Sequence, residues 1–327
     1  MTQDLNTALK GGGLSIDSLT AGSPIEETEL KSLAELAPQI DGKRRRRREL
    51  KGSPILFEPL RTGLDSQYWW PGLHVIVSAP KAGKSQFVIQ QGIHAAKEGL
   101  QVAYLTNELD TLDVESRVLG VLTGRPWKEF LTDVPDDELL RLRAKHSETL
   151  GAFRVYGGSG RAMTVDTVRG TMEELGRLAD KAGKAPMIVL DYLQRIGGAG
   201  DMRQRIADAC DSLHAFAERY DCPVLAVSSV ARGEGGGNYG ALLVDKWSRA
   251  ASDYAGMGKE SGQIEYSAQT VTAIVHQKHT DTDKPGYVET RLAIAASRRG
   301  PTRWVKGLVF SGWWHQGTNS GSDFGNT

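Results

Sequence analysis

The stretch Ser78-Ala79-Pro80-Lys81-Ala82-Gly83-Lys84-Ser85-Gln86 constrains this chain more than any other. Ahead of it, Leu73-His-Val-Ile-Val-Ser78 is a short, apolar, β-branched run of the kind that forms a buried strand. Behind it, Gln86 to Lys97 spaces Phe87, Ile89, Ile93 and Ala96 along one helical face and stops at Gly99. A tight turn between strand and helix aims backbone N–H groups and the positive end of a helix dipole at one point, which suits a phosphate. Gly83 permits the turn, Lys84 has the reach for β- and γ-phosphates, and the Ser85 hydroxyl is a ligand for Mg2+. The expected cofactors are ATP and Mg2+, with nucleotide contacts running from Ser78 through Gln86.

Three later runs repeat the strand pattern. Gln101-Val-Ala-Tyr-Leu-Thr106 is followed by Asn107-Glu108, and a carboxylate at the end of a parallel strand beside a phosphate loop is placed to activate water. Ala185-Pro-Met-Ile-Val-Leu190 ends in Asp191, the Walker B pattern, in which the terminal carboxylate holds Mg2+ through water. Tyr192 follows rather than an acid, so Glu108 is the candidate general base. Cys222 to Ser229 is a fourth strand, whose polar end at Ser229 is a candidate sensor of the γ-phosphate. Helical patterns at Leu112–Leu122 (which includes Arg117), Asp136–Leu150 and Ile206–Tyr220 alternate with these strands. The expected fold class is therefore α/β, a mainly parallel sheet with helices on both faces and its ligands at the carboxyl edge of the strands. Val271–Gln277 and Val288–Ala296 read as a hairpin joined by the turn-rich Thr280–Gly286, and Trp304–Phe310 as a last strand.

Lys and Arg number 40 against 40 Asp and Glu, so the chain carries no net charge and any nucleic-acid contact must come from local patches. The two cysteines, Cys210 and Cys222, are too few for a disulfide framework and fit a reducing cytoplasm. No apolar run is long enough for a membrane span, and the first residues have neither the basic start nor the apolar stretch of a signal peptide. The expected organisation is a flexible segment over 1–53, an ATPase domain over 54–316 and a disordered tail over 317–327. Within the first segment, Glu26–Ala37 carries Leu30, Leu33 and Leu36 in a narrow stripe, and Pro38 is expected to end that helix. It either docks on a neighbour or folds back on its own domain. The basic run Lys43–Arg48 reads either as a nucleic-acid or membrane contact or as a solvated linker. Trp69 and Trp70 either wall a base or cover the core, and His276 and His279 read as surface histidines.

Taken in order, these motifs resemble the RecA-type ATPase core of superfamily 4 helicases, and most of all the C-terminal domain of the DnaB family. The resemblance runs from about Arg61 to Trp314. Thr62-Gly-Leu-Asp65 is similar to the family's entry segment, Ser78 to Ser85 to its Walker A, and Glu108-Leu109 to its catalytic Glu. Asp191-Tyr-Leu-Gln194 is its Walker B tetrapeptide, Val227-Ser-Ser-Val-Ala-Arg232 resembles its fourth motif, and Glu260-Ser-Gly-Gln-Ile-Glu265 and Arg298-Arg-Gly-Pro301 resemble its later elements. The resemblance implies a RecA-like P-loop fold with a C-terminal β-hairpin, a homo-hexameric ring with ATP between subunits, and Arg298 as an arginine finger acting in trans. It implies that the loops Gly197–Arg205 and Arg232–Lys246 line a channel for single-stranded DNA, with Arg203, Arg205, Arg232 and Lys246 as contacts. Replication partners such as a loader or a primase follow from the same resemblance. The chain departs from the pattern at Ser78, at Ser229 where the family has Gln, and at Ala296 where it has a second basic residue. The family's N-terminal primase-binding domain has no counterpart ahead of the core, the layout of small plasmid and phage helicases. The function implied is an ATP-driven, ring-forming DNA helicase. A RecA-like recombination filament, or a regulatory or loader ATPase that unwinds nothing, shares the Walker motifs.

Overall fold

The computed structural model describes residues 30–50, 52–158, 162–230, 242–244, 249–257, 264, 266–277, 289–310 and 313–316. The chain divides into two compact units, Met1–Arg46 and Arg47–Thr327.

The first unit carries most of helix α1 (Leu33–Leu50), which continues to its end in the second. It starts at a capping box: Glu35 N donates to Ser32 Oγ at 3.3 Å, and Ser32 N to Glu35 Oε2 at 2.7 Å. Pro38 lies inside this helix and does not end it. The box sets the helix start well before Pro38, where only one turn lacks its N–H bond. The basic run is therefore helical rather than a linker, and Arg47 and Arg48 in the last turn complement the negative end of the dipole. Residues 26–29 of the expected helix lie outside the described residues. Leu30 and Leu33 are exposed.

In the second unit, β1 (Ser53–Pro54) and β2 (Tyr68–Trp69) pair around α2 (Glu58–Leu64). β3 (Gly72–Ser78) leads through the phosphate loop into α3 (Lys84–Lys97), and β4 (Gln101–Thr106) follows. Next come α4 (Thr111–Thr123), α5 (Glu129–Thr132), α6 (Asp136–Lys145), α7 (Ser147–Ala152) and β5 (Phe153–Gly157). α8 (Val165–Ala182) precedes β6 (Pro186–Asp191), the 3₁₀ turn Leu193–Arg195, α9 (Met202–Tyr220) and β7 (Pro223–Ser229). β8 (Leu243–Val244), β9 (Ala268–Gln277), β10 (Glu289–Ser297), β11 (Arg303–Phe310) and β12 (Trp314–Gln316) complete the described elements. The main sheet runs β12-β11-β10-β9-β3-β7-β6-β4-β5, with β8 pairing β9. From β9 to β5 the neighbours are parallel; β10, β11 and β12 are antiparallel additions.

The central strands read as unbroken apolar runs because both faces are covered. Leu73, Val75 and Val77 pack with Val168, Met172, Ile206 and Leu213 of α8 and α9, whereas Ile76 packs with Phe87, Ile89 and Ile93 of α3. Each such side chain, fully buried, contributes about 1.5–3 kcal/mol. The expected hairpin is β9–β10, although its turn lies outside the described residues. The expected helix over 136–150 is two helices meeting at His146. α9 starts four residues earlier than its apolar spacing suggests, because Asp201 caps it by accepting from Gln204 N. Trp304–Phe310 is not the last strand, since β12 follows it. Trp69 belongs to the core, 1% exposed and donating Nε1–H to Gln91 Oε1 at 3.2 Å. Among the described residues no helix is long and apolar enough to cross a membrane.

Candidate functional site: a phosphate loop flanked by two carboxylates

β3 delivers Ser78 to the carboxyl edge of the sheet, level with Ser229 of β7. The Ser78 hydroxyl is buried and donates to the Ala79 carbonyl, so it occupies no room inside the loop. Lys81 takes φ +63° and Gly83 φ +83°, which curls the loop into the N-terminus of α3. A Cβ at Gly83 would meet the Phe310 ring at 2.7 Å. Trp314, from the strand after Phe310, donates Nε1–H to the Gly83 carbonyl at 2.9 Å and exchanges two bonds with Gln90 of α3. The antiparallel additions thus brace the loop from outside. Lys84 Nζ donates to the carbonyls of Ser78 (3.1 Å) and Ala79 (2.8 Å), which centres it over the loop. Burial lowers its pKa, while Asp191 and Glu108 favour its charge.

Asp191 is fully buried at the end of β6. Tyr104 of β4, an inward-facing residue two positions before that strand's end, donates its hydroxyl to Asp191 Oδ2 at 2.7 Å. Asp191 Oδ1 has no hydrogen-bond partner among the described residues. Desolvation raises the Asp191 pKa; the Ser85 and Tyr104 hydroxyls, Lys84 and Arg117 oppose it. A buried carboxylate oxygen lacking a partner, beside a helix-start hydroxyl, fits a hard cation such as Mg2+.

Glu108 stands at the same edge, just beyond β4, its backbone N–H held by Thr106 Oγ1 at 3.1 Å. Desolvation and then the Asp191 charge raise its pKa, while Lys84, Arg195 and Arg117 pull it back. Arg117 is a participant that the sequence offered only as part of a helix. It donates to Gln86 Oε1 at 3.2 Å and lies 4.1 Å over the Trp127 ring. Gln194 joins the two strand ends: its Nε2 donates to Ser228 Oγ (2.7 Å) and its Oε1 accepts from Ser229 N (3.0 Å). His276 is no surface residue. It is half-buried, with Nδ1 2.8 Å from Thr290 Oγ1, and its ring faces the Ala82 backbone.

The structure therefore brings Ser78 to Gln86, Glu108, Asp191 and Ser229 to one edge. Arg298 is elsewhere: it follows β10 at the opposite edge and donates to the carbonyls of Ala268, at 3.0 Å, and Tyr266. Beside it, Arg299 stacks over Trp70 at 4.6 Å, which takes that tryptophan away from the phosphate loop. Arg203 is exposed on the first turn of α9. Arg205 donates Nε–H to the Ile196 carbonyl (3.1 Å) and Nη1–H to that of Gly200 (2.6 Å), closing the glycine-rich turn. Arg232, Lys246 and His279 lie outside the described residues, as does most of Glu260–Glu265.

Residues 62–316 match the family described as DnaB-like helicase C terminal domain. The replicative DNA helicase DnaB of Leifsonia xyli subsp. xyli is 26% identical over 309 residues, covering 91% of this chain and 63% of the relative. That of Geobacillus stearothermophilus is also 26% identical, covering 79% of this chain and 54% of the relative. The chain thus spans a little over half the length of these two relatives. Among solved structures, a DnaB-like ATPase domain superimposes with a TM-score of 0.65 at 17% identity, over 88% of this chain and 99% of that one. A DnaB-like replicative helicase, described with its interactions with primase, gives 0.62 at 17% identity, over 88% and 67%. These likenesses assign the RecA-like fold, and the family match over most of the chain assigns the rest: the chain belongs to the DnaB-like helicase C-terminal domain family.

Proposed function

We propose that this chain is the ATP-hydrolysing motor of a replicative DNA helicase. The observation that carries this reading is the convergence of Lys84, Ser85, Glu108 and Asp191 on one sheet edge around a curled phosphate loop. The loop N–H groups and the α3 terminus bind the β- and γ-phosphates, and Lys84 leaves its carbonyl partners to pair with them. Ser85 and, through water, Asp191 hold Mg2+, whose charge offsets that developing on the phosphate oxygens. Glu108 orients the attacking water and takes its proton; its raised pKa makes it a better base than an ordinary carboxylate. Ser229 sits beside the loop as the γ-phosphate sensor.

Residues 54–316 form the working domain of a homo-hexamer in the cytoplasm, with Arg298 reaching the nucleotide of the next subunit. Arg203, Arg232 and Lys246 contact the backbone of single-stranded DNA, with Arg205 shaping the turn between β6 and α9. A loader or a primase is the partner class that replication would add.

The test is steady-state ATPase with and without single-stranded DNA, a sizing run with a non-hydrolysable ATP analogue, and unwinding of a forked duplex. DNA-stimulated turnover, a ring-sized species and strand separation are expected. Turnover indifferent to DNA from a monomer would overturn the reading in favour of a loader or regulatory ATPase, and helical filaments in electron micrographs would favour a recombination protein.

A further inference from the structure

Asn107 and Arg195 stand 88 positions apart, each next to a residue of the site. Asn107 directly precedes Glu108, and Arg195 directly follows the Asp191–Gln194 tetrapeptide. They exchange two hydrogen bonds: Asn107 Nδ2 donates to the Arg195 carbonyl at 2.8 Å, and Arg195 Nη1 donates to the Asn107 carbonyl at 2.9 Å. Arg195 Nε also donates to the Tyr192 hydroxyl at 3.2 Å, so its planar fork is held at both ends.

The far side of this pair is fixed in turn. The next carbonyl, that of Ile196, accepts from Arg205, and Gly197 N donates to the Met163 carbonyl at 2.7 Å. On the near side, Thr106 Oγ1 accepts from both Glu108 N and Leu109 N. Glu108 thus sits on a short backbone segment pinned at each end, and Arg195 supplies the pin before it.

We propose that Asn107 and Arg195 form a positioning latch that holds the Glu108 backbone, and so its carboxylate, in line with the phosphate loop. The latch rests on the reading of Glu108 as the general base. Neither residue touches substrate; each acts through Glu108. The guanidinium adds a second effect, since the charged groups facing Glu108 are Asp191, Lys84, Arg195 and Arg117. Of these cations only Arg195 also bonds the Glu108 segment, so removing it both loosens and discharges the site.

The test is ATPase kinetics of the full chain carrying Asn107→Ala, Arg195→Ala, Arg195→Lys, the Asn107→Ala/Arg195→Ala pair, or Glu108→Gln. Each alanine variant should lose about ten- to a hundredfold in kcat with little change in KM for ATP, the scale of displacing a catalytic group by about 1 Å. The double variant should be no slower than the worse single one, because both remove the same constraint. Arg195→Ala should move the acid limb of kcat/KM to higher pH. Arg195→Lys, which keeps the charge without the fork, should lose kcat yet leave that limb in place. Losses that multiply, a KM rising in step with the fall in kcat, or turnover close to that of the parent in both single variants would overturn the latch. Glu108→Gln separates the two ideas: if it stays inactive while the latch variants are normal, only the latch fails. If it turns over normally, the assignment of the base fails with it.

Discussion

Arg298 and Ser78 lie at opposite edges of one sheet. Ser78 is the last residue of β3 and pairs with Ile274. Ser297, just before Arg298, pairs with Thr270, which is level with His74 near the start of β3. At about 3.3 Å per residue, that separates Arg298 from its own phosphate loop by roughly 15–20 Å. A finger so placed serves only a nucleotide held by another copy. Arg298→Ala should therefore reduce turnover by about 10³-fold or more while leaving nucleotide binding to a single chain intact. Mixing Arg298→Ala with Lys84→Ala subunits should restore part of the activity, because some interfaces then combine an intact loop with an intact finger. If mixed assemblies regain nothing, the finger does not act in trans.

Gly83 tests the loop itself. Its φ of +83° and the Phe310 ring carbons at 2.7–2.9 Å from a Cβ leave no space for a side chain. Gly83→Ala should lower stability by about 1–3 kcal/mol through backbone strain alone and abolish ATP binding, measured by melting and by nucleotide titration. Adding Phe310→Ala should recover part of the stability, since it removes the clash but not the strain. A Gly83→Ala chain that melted and bound ATP like the parent would mean that the loop adopts another shape.

His74 ties stability to pH. It is fully buried on β3, with Nδ1 2.8 Å from Thr270 Oγ1 and Nε2 2.6 Å from the Trp70 carbonyl. The carbonyl only accepts, so Nε2 carries the proton and Nδ1 accepts from Thr270. Burial, helped by Arg299 nearby, lowers the pKa from 6.5 to about 4. Above pH 6.5 the ring is neutral whether folded or unfolded, and its burial costs nothing extra. As pH falls towards 4 the unfolded chain takes up a proton that the folded chain refuses, so stability falls by about 3 kcal/mol in all, at about 1.36 kcal/mol per unit. Below that range this group adds no further loss. Denaturant melts between about pH 7 and pH 4 should show the decline, and His74→Gln should flatten it. Equal slopes in both chains would assign the acid sensitivity to other groups.

The parts legible in the sequence are those with both faces buried or with a motif of their own. β3, β4, β6 and β7 show as apolar runs because α3 covers one face of the sheet and α8 and α9 the other. β5 does not, since it is an edge strand whose Arg154 and Val155 are exposed. α8 carries Gly170 and Gly176 in its interior, and its signal is the Thr164/Thr167 capping box rather than an apolar run. At the site, Lys84, Asp191 and Glu108 announce themselves by their place at strand ends. Tyr104, Arg117, Asn107 and Arg195 do not, because what makes them matter is a partner on another strand or helix. For Tyr104 alone there was a clue, a hydroxyl on a strand otherwise reading as buried.

Glu108 gives the most direct test of the chemistry. Desolvation and the Asp191 charge put its pKa above the ordinary carboxylate value of 4.5, and only the ionised form can accept a proton from water. The acid limb of kcat/KM, which reports the free enzyme, should therefore lie above that value. Glu108→Gln should bind ATP normally and lose about 10²–10⁴-fold in turnover. Whatever turnover remains should lack the limb, because the amide does not titrate in its place. Glu108→Asp keeps a base but shortens its reach, so it should retain the limb with reduced kcat. If the limb persists unchanged in Glu108→Gln, another group controls it and the proton goes elsewhere. If the limb vanishes but turnover does not fall, Glu108 sets the charge of the site without serving as its base.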